Sequence, residues 1–149
     1  MFVLDTNVVS EPRKAKAGKA DRNVQAWASS VPANDLFVSA ITILELETGV
    51  LLAERRDPRQ GGLLRAWLEQ HVLPAFTGRV LAVGLNVARK CAALHVPDPR
   101  AERDALIAAT ALVHRMTVVT QNGSDFASTG VSLLNPWDQV AWQGEPRKS

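Results

Sequence analysis

The chain has 149 residues, 46% of them hydrophobic and 21% charged, with a formal net charge of +2 at pH 7. That length and balance suit one globular domain with a real core. No apolar run reaches the roughly 18–20 residues that span a bilayer. Residues 2–4 are too short for a signal-peptide core, and Asp5 interrupts them. Cys91 is the only cysteine, which excludes an internal disulfide and leads us to expect a reducing, cytoplasmic setting. The three histidines, His71, His95 and His114, are isolated in the sequence and match no zinc-ligand spacing.

In chain order, residues 2–4 form an apolar run of strand length, and Asp5-Thr6-Asn7 turns into a short helix. Residues 11–21 are lysine-rich with no apolar period, and predict a mobile loop. Residues 23–30 predict a helix with Val24 and Trp27 facing the core, broken by Pro32 and Asn34-Asp35. A second strand spans 36–38. Ser39 can cap the helix that follows, which runs to about Glu54. Residues 57–62 predict a turn and 63–73 an amphipathic helix ending before Pro74. A third strand is expected at 79–83 and a helix at 85–95, stopped by Pro97 and Pro99. An Asp cap followed by proline is a helix-start pattern, so Asp98-Pro99 is expected to open the next helix. That helix is followed by a strand at 117–120 and a last strand near 131–134. Alternating strands and helices argue for a three-layer α/β/α domain with a mainly parallel sheet. There are no repeats and no sign of a second domain. The expectation is one domain over residues 1–143, with 144–149 a frayed tail.

The most informative stretch is residues 101–126, a helix, a strand and a turn with an aspartate near each end. Ile107, Ala108 and Ala111 share the face of Asp104, while Leu106, Ala109 and Val113 line the opposite side. A helix apolar on two sides is buried. A lone carboxylate there costs several kcal/mol unless a cation or donors meet it, about the scale known for buried unpaired charge. Asp5 lies just beyond the first strand, where open α/β sheets gather their chemistry. Glu45 lies inside an apolar helix, flanked by the small residues Thr42 and Gly49, whereas Glu47 falls on a wetter edge near Glu54. Asp125 follows the Asn122-Gly123 turn.

Each acid has a bland alternative. Asp5 can simply cap the first helix, Asp104 can sit in a helix first turn, and Asp125 can cap a short turn. Magnitude favours a shared site. Two carboxylates about 5 Å apart repel by roughly 3 kcal/mol at an effective dielectric near 20. Three or four converging approach a domain's whole stability of about 5–15 kcal/mol. A divalent cation removes the conflict, and oxygen-only ligands favour Mg²⁺ or Mn²⁺ over zinc. Setting the four acids aside leaves 17 basic against 11 acidic residues, or +6. An acidic pocket in a basic surface suits a polyanion held to a metal.

VLDTNVVSE at 3–11, ITILELETGV at 41–50 and DALIAATALVHRMTVVTQNGSDF from Asp104 resemble the signature blocks of PIN-domain nucleases. The chain is most similar to VapC-type toxins of toxin–antitoxin pairs, and GVSLLNPW at 130–137 is a familiar ending in that group. The resemblance implies a five-stranded parallel sheet flanked by helices. It also implies metal-dependent endoribonuclease activity on RNA such as tRNA, an antitoxin partner and a homodimer. Asp5, Glu45, Asp104 and Asp125 would then be the acidic quartet. One departure is Gln121, where the family commonly has Arg before Asn122.

The expected mechanism has Asp5, Asp104 and Glu45 holding one or two Mg²⁺ ions, with Asp125 completing the site and metal-activated water attacking phosphorus. No histidine base is needed. Thr6, Asn7, Thr120 and Asn122 are expected to orient carboxylates or water. Arg13, Lys14, Lys16, Lys19 and Arg22 are the candidate RNA contacts, although a solvated basic run explains them too. Trp27, Trp67, Trp137 and Trp142 fit a core or interface better than base stacking. A receiver-type phosphoacceptor is the weaker rival, since Asp5 lacks the paired acid and Thr120 precedes no lysine. A catalytically silent PIN-like binding module is the stronger one.

Overall fold

The computed structural model describes residues 1–138. The expected tail, and Trp142 with it, lie outside the described residues. Five strands, β1 (Phe2–Leu4), β2 (Leu36–Ser39), β3 (Val80–Leu81), β4 (Thr117–Val119) and β5 (Leu133–Leu134), form one sheet in the order β3-β2-β1-β4-β5. Every pairing is parallel, with Phe2 opposite Leu36 on one side and Thr117 on the other. A parallel sheet needs helical crossovers that cover both faces, so its central strands are apolar on both sides. FVL and TVV meet that demand.

Successive residues of the central strands feed two cores. Leu4, Val38 and Val119 pack with α1 (Thr6–Ser10), α2 (Arg22–Ser30), α3 (Ala40–Arg56) and the segment after α4 (Pro58–Trp67). Val3 and Val118 pack with Ile107, Ala108 and Ala111 of α7 (Glu102–His114) and with Phe126. The far side of α7, through Ala105 and Ala109, packs on Val87 and Cys91 of α6 (Leu85–Leu94). Both apolar faces of this helix are therefore covered, as its sequence requires. This is the three-layer α/β/α architecture expected, with a wholly parallel sheet. No helix among the described residues is long and apolar enough to cross a membrane.

Several local expectations fail for identifiable reasons. Residues 57–62 are not a turn. The Asp57 side chain accepts from the Arg59 and Gln60 amides and Pro58 opens α4, a cap-plus-proline start. Gly61 belongs to the packing of α4 on α3, since a Cβ there would lie 2.3 Å from the Glu54 Cα. Pro74 does not end the helix. A π-helical turn over Leu68–Val72 lets the Leu73 amide reach the Leu68 carbonyl, and the short α5 (Leu73–Ala75) continues through the proline.

The expected loop at 11–21 holds a 3-10 helix, Glu11–Ala17. The buried Glu11 carboxylate anchors it by accepting from the Asp21 amide at 2.8 Å and pairing with Lys14 at 3.1 Å. Asp98-Pro99 does not start α7. The cap position is Ala101, and the connection before it is held by Arg100, whose guanidinium donates to the Leu94 carbonyl at 2.8 Å and the Ser128 hydroxyl at 2.9 Å.

Replacing Gly61 by alanine should force α4 off α3 and cost about 1–3 kcal/mol or more, as overpacking does. Urea unfolding checks this, and an unchanged midpoint would show that the two backbones are not in close contact.

Candidate active site

Out from β1 the chain adds β2 and β3 on one side, then returns to add β4 and β5 on the other. The reversal falls between β1 and β4, and ligands of open α/β sheets bind beyond the strand ends at such a point. Asp5 follows β1 and Thr120 follows β4, side by side: the Asp5 amide donates to the Val119 carbonyl at 2.9 Å.

Asp5 is buried, and two donors fix its carboxylate. Oδ1 accepts from the Thr6 amide and Oδ2 from the Thr120 hydroxyl, each at 2.8 Å. The capping reading is thus correct, but it accounts for only one of the two oxygens. Thr120 in turn accepts from the Asn122 amide at 3.0 Å, and the Asn7 side chain accepts from the Gln121 amide at 3.3 Å. All four residues expected to support the acids, Thr6, Asn7, Thr120 and Asn122, lie in this network.

Ser39 ends β2 and caps α3 by accepting from the Ile41 amide at 3.0 Å, which aims α3 across the site. Glu45, on its second turn, accepts a hydrogen bond from the Thr6 hydroxyl and lies 3.9 Å from Arg103. Thr6 therefore ties two of the acids together, its amide to Asp5 and its hydroxyl to Glu45. Glu47 points elsewhere and pairs with Arg65 at 2.8 Å. Thr42 beside Glu45 is buried as expected, but Gly49 is exposed and a Cβ there would meet nothing within 4 Å, so no other backbone comes close at that position.

Asp104 lies in the first turn of α7, which has no side-chain cap. Burial pushes its carboxyl above the ordinary value, and Asp5, Asp125 and Glu45 push it further in that order. Three other segments thus deliver carboxylates close enough for Asp104 to feel them. Asp125 is exposed in the 3-10 turn Gly123–Thr129 and is not its cap. Arg103 is the residue the sequence reading missed. Its position next to Asp104 in a helix first turn was the available signal.

The donor set is oxygen only, which is what a hard divalent cation takes. The residues present fit Mg²⁺ or Mn²⁺ and do not resemble a thiolate or imidazole zinc site.

Substituting Thr120 by valine keeps the shape but leaves Asp5 Oδ2 and the Asn122 amide without a partner. We expect a loss of about 1–3 kcal/mol in chemical denaturation. A stability equal to wild type would mean that neither bond matters.

A parallel α/β domain with an acidic cluster at the switch point of its sheet defines the class of protein. The PIN-domain family model matches residues 2–131, and the chain belongs to that family. It is 38% identical to the VapC ribonuclease Y4jK of Sinorhizobium fredii, covering 93% of this chain and 99% of that protein. It is equally 38% identical to Toxin FitB of Neisseria gonorrhoeae, covering 92% and 99%. Among solved structures, FitAcB from Neisseria gonorrhoeae superposes with a TM-score of 0.82 at 37% identity, over 92% of this chain and 99% of that one.

Proposed function

We propose that this protein is a metal-dependent endoribonuclease, the toxin of a toxin–antitoxin pair. The observation that carries the reading is that Asp5, Asp125 and Glu45, from three other segments, all act on the Asp104 carboxyl, adding to the larger effect of its burial in pushing it up. A relative named VapC ribonuclease supports RNA as substrate and one named Toxin FitB supports the role of toxin, each aligned over more than nine-tenths of the chain.

Asp5, Glu45 and Asp104 would hold one or two Mg²⁺ or Mn²⁺ ions, with Asp125 at the exposed rim. When bound, the cation activates water toward phosphorus and offsets charge on the phosphate and the leaving oxygen. The chain's own groups orient the acids. The Thr6 amide and Thr120 hydroxyl hold Asp5 by one lone pair on each oxygen, leaving the others for a cation. The Thr6 hydroxyl sets the rotation of Glu45. Arg103, at the rim, is placed to meet an incoming phosphate.

Of the basic candidates, Arg13 lies over the Trp67 ring at 5.4 Å and Lys14 pairs with Glu11. Lys19 and Arg22 are exposed and have no ion-pair partner among the described residues, so they are the better RNA contacts. Lys16 lies outside the described side chains.

An antitoxin is the proposed protein partner, supported by the likeness to FitAB bound to a DNA fragment, with a TM-score of 0.82 and 36% identity. An apolar cleft of about 640 Å³ between α1, α2 and α4, lined by Val8, Val9, Trp27, Trp67, Val72 and Phe76, has the character to receive a partner's segment. Exposed Leu51 and Leu52 on α3, with Leu63 on α4, offer an apolar surface for a homodimer.

The test is direct. Purified protein incubated with cellular RNA should yield discrete new ends in Mn²⁺ and none after chelation. RNA left intact at millimolar metal would instead favour a silent binding module.

A further inference from the structure

The three histidines look isolated in the sequence, but His95 is not isolated in space. Cys91 and His95 are four apart at the end of α6, so they share one helix face. Glu102 opens α7 and reaches back across the connection to meet both. The Cys91 Sγ lies 3.8 Å from His95 Nε2 and 3.8 Å from Glu102 Oε2, and His95 Nε2 lies 3.2 Å from Glu102 Oε1. The two contacts to Glu102 use different carboxylate oxygens, and with one donor atom from each residue all three lie within 4.8 Å of one another.

Zinc bonds of about 2.3 Å to sulfur, 2.0–2.1 Å to nitrogen and 2.0–2.2 Å to oxygen imply donor separations of about 3.3–3.6 Å. The Sγ–Nε2 separation of 3.8 Å and the Nε2–Oε1 separation of 3.2 Å differ from these by a few tenths of an ångström. We propose that Cys91, His95 and Glu102 form a second metal site, selective for Zn²⁺-class cations over Mg²⁺, with a fourth position open to water. Thiolate and imidazole donors exclude the hard cations that suit the carboxylate quartet. The two sites are separate. Glu102 and Asp104 are two residues apart on one helix, about 200° around its axis, and so face different neighbours.

Loading balances as follows. The thiol proton leaves to solvent, and thiolate plus carboxylate neutralise the dication. In the metal-free chain the Arg100 amide donates to His95 Nδ1 at 3.2 Å, so the ring proton is on Nε2, facing Glu102. It must move to Nδ1 for Nε2 to bind, and the Arg100 amide must turn away. The cation enters from the Glu102 side, since that side chain is 67% exposed while Cys91 is buried. A filled site would pin the α6–α7 connection. Arg100 in that connection also holds Ser128 of the turn that carries Asp125.

The test is a cobalt titration of the chelator-stripped, reduced full-length protein. Wild type should develop a thiolate-to-cobalt charge-transfer band and intense tetrahedral visible bands, saturating at one ion per chain and bleached by Zn²⁺. Cys91 is the only thiol, so the band reports this position alone. Asp104→Asn should keep the band, because the quartet plays no part in it. Glu102→Gln and His95→Gln should each weaken cobalt binding by about tenfold or more, beyond what losing an orienting neighbour costs at the low end. No band at millimolar cobalt would overturn the site. So would a band indifferent to both substitutions, which would mean adventitious thiolate binding. Glu102 is exposed enough for its variant to fold, so the result stands even if the His95 variant does not.

Discussion

Replacing Asp104 by asparagine should abolish RNA cleavage while leaving the fold intact. The side chain keeps its size and loses only its charge, and the buried Ala105, Ile107 and Ala108 beside it on α7 pack as before. A residue that merely orients a metal ligand costs about 10–100-fold in affinity or activity when lost. A ligand itself should exceed the upper end of that range in kcat/KM. The same substitution should make the metal-free protein more stable. The Asp104 carboxyl is held above its ordinary value in the folded state by burial and by Asp5, Asp125 and Glu45. Between the ordinary and the raised value the folded state binds more protons than the unfolded, so stability falls as pH rises through that window. Above that window the loss is complete, and asparagine removes it. Activity gone with metal-free stability raised is a signature that general damage does not produce. Cleavage within tenfold of wild type would remove Asp104 from the chemistry.

Manganese should raise the melting temperature of the wild-type protein substantially. At a hundred times its dissociation constant, a ligand specific to the folded state adds about 2.7 kcal/mol. For a chain of this size that corresponds to a shift on the order of 10 °C. The shift should shrink at acid pH, where protons compete with the cation for the carboxylates. A differential scan in chelator and in Mn²⁺ measures it. A shift that stayed the same as the carboxylates were protonated would place the binding elsewhere.

The sequence carried the sheet and the acids well, for a physical reason. FVL and TVV must be apolar on both faces in a central parallel strand, and the run ends abruptly at Asp5 and Thr120, where the chemistry begins. The two-sided apolar character of α7 announces its burial between the sheet and α6. Glu45 could be separated from Glu47 because the wet edge of α3 is itself marked by charge, and Glu47 does end on Arg65. What was illegible depended on contacts remote in sequence. Gly61-Gly62 read as a turn because nothing local reveals that α3 passes 2.3 Å from a Cβ at Gly61. Pro74 read as a stop because a π turn is invisible to residue periodicity. Asp98-Pro99 carried a valid start signal that Arg100 overrides by tying the connection down. Arg103 and the Cys91–His95–Glu102 triangle were missed because each depends on which helix lies alongside.

The account rests on acids that oppose one another until a cation joins them. The most direct test compares melting temperatures of wild type and Asp104→Asn, each in chelator and in saturating Mn²⁺ at neutral pH. The account predicts a crossing, with the variant melting higher without metal and the wild type higher with it. Curves that shift in parallel, or that do not respond to Mn²⁺ in either protein, would contradict it.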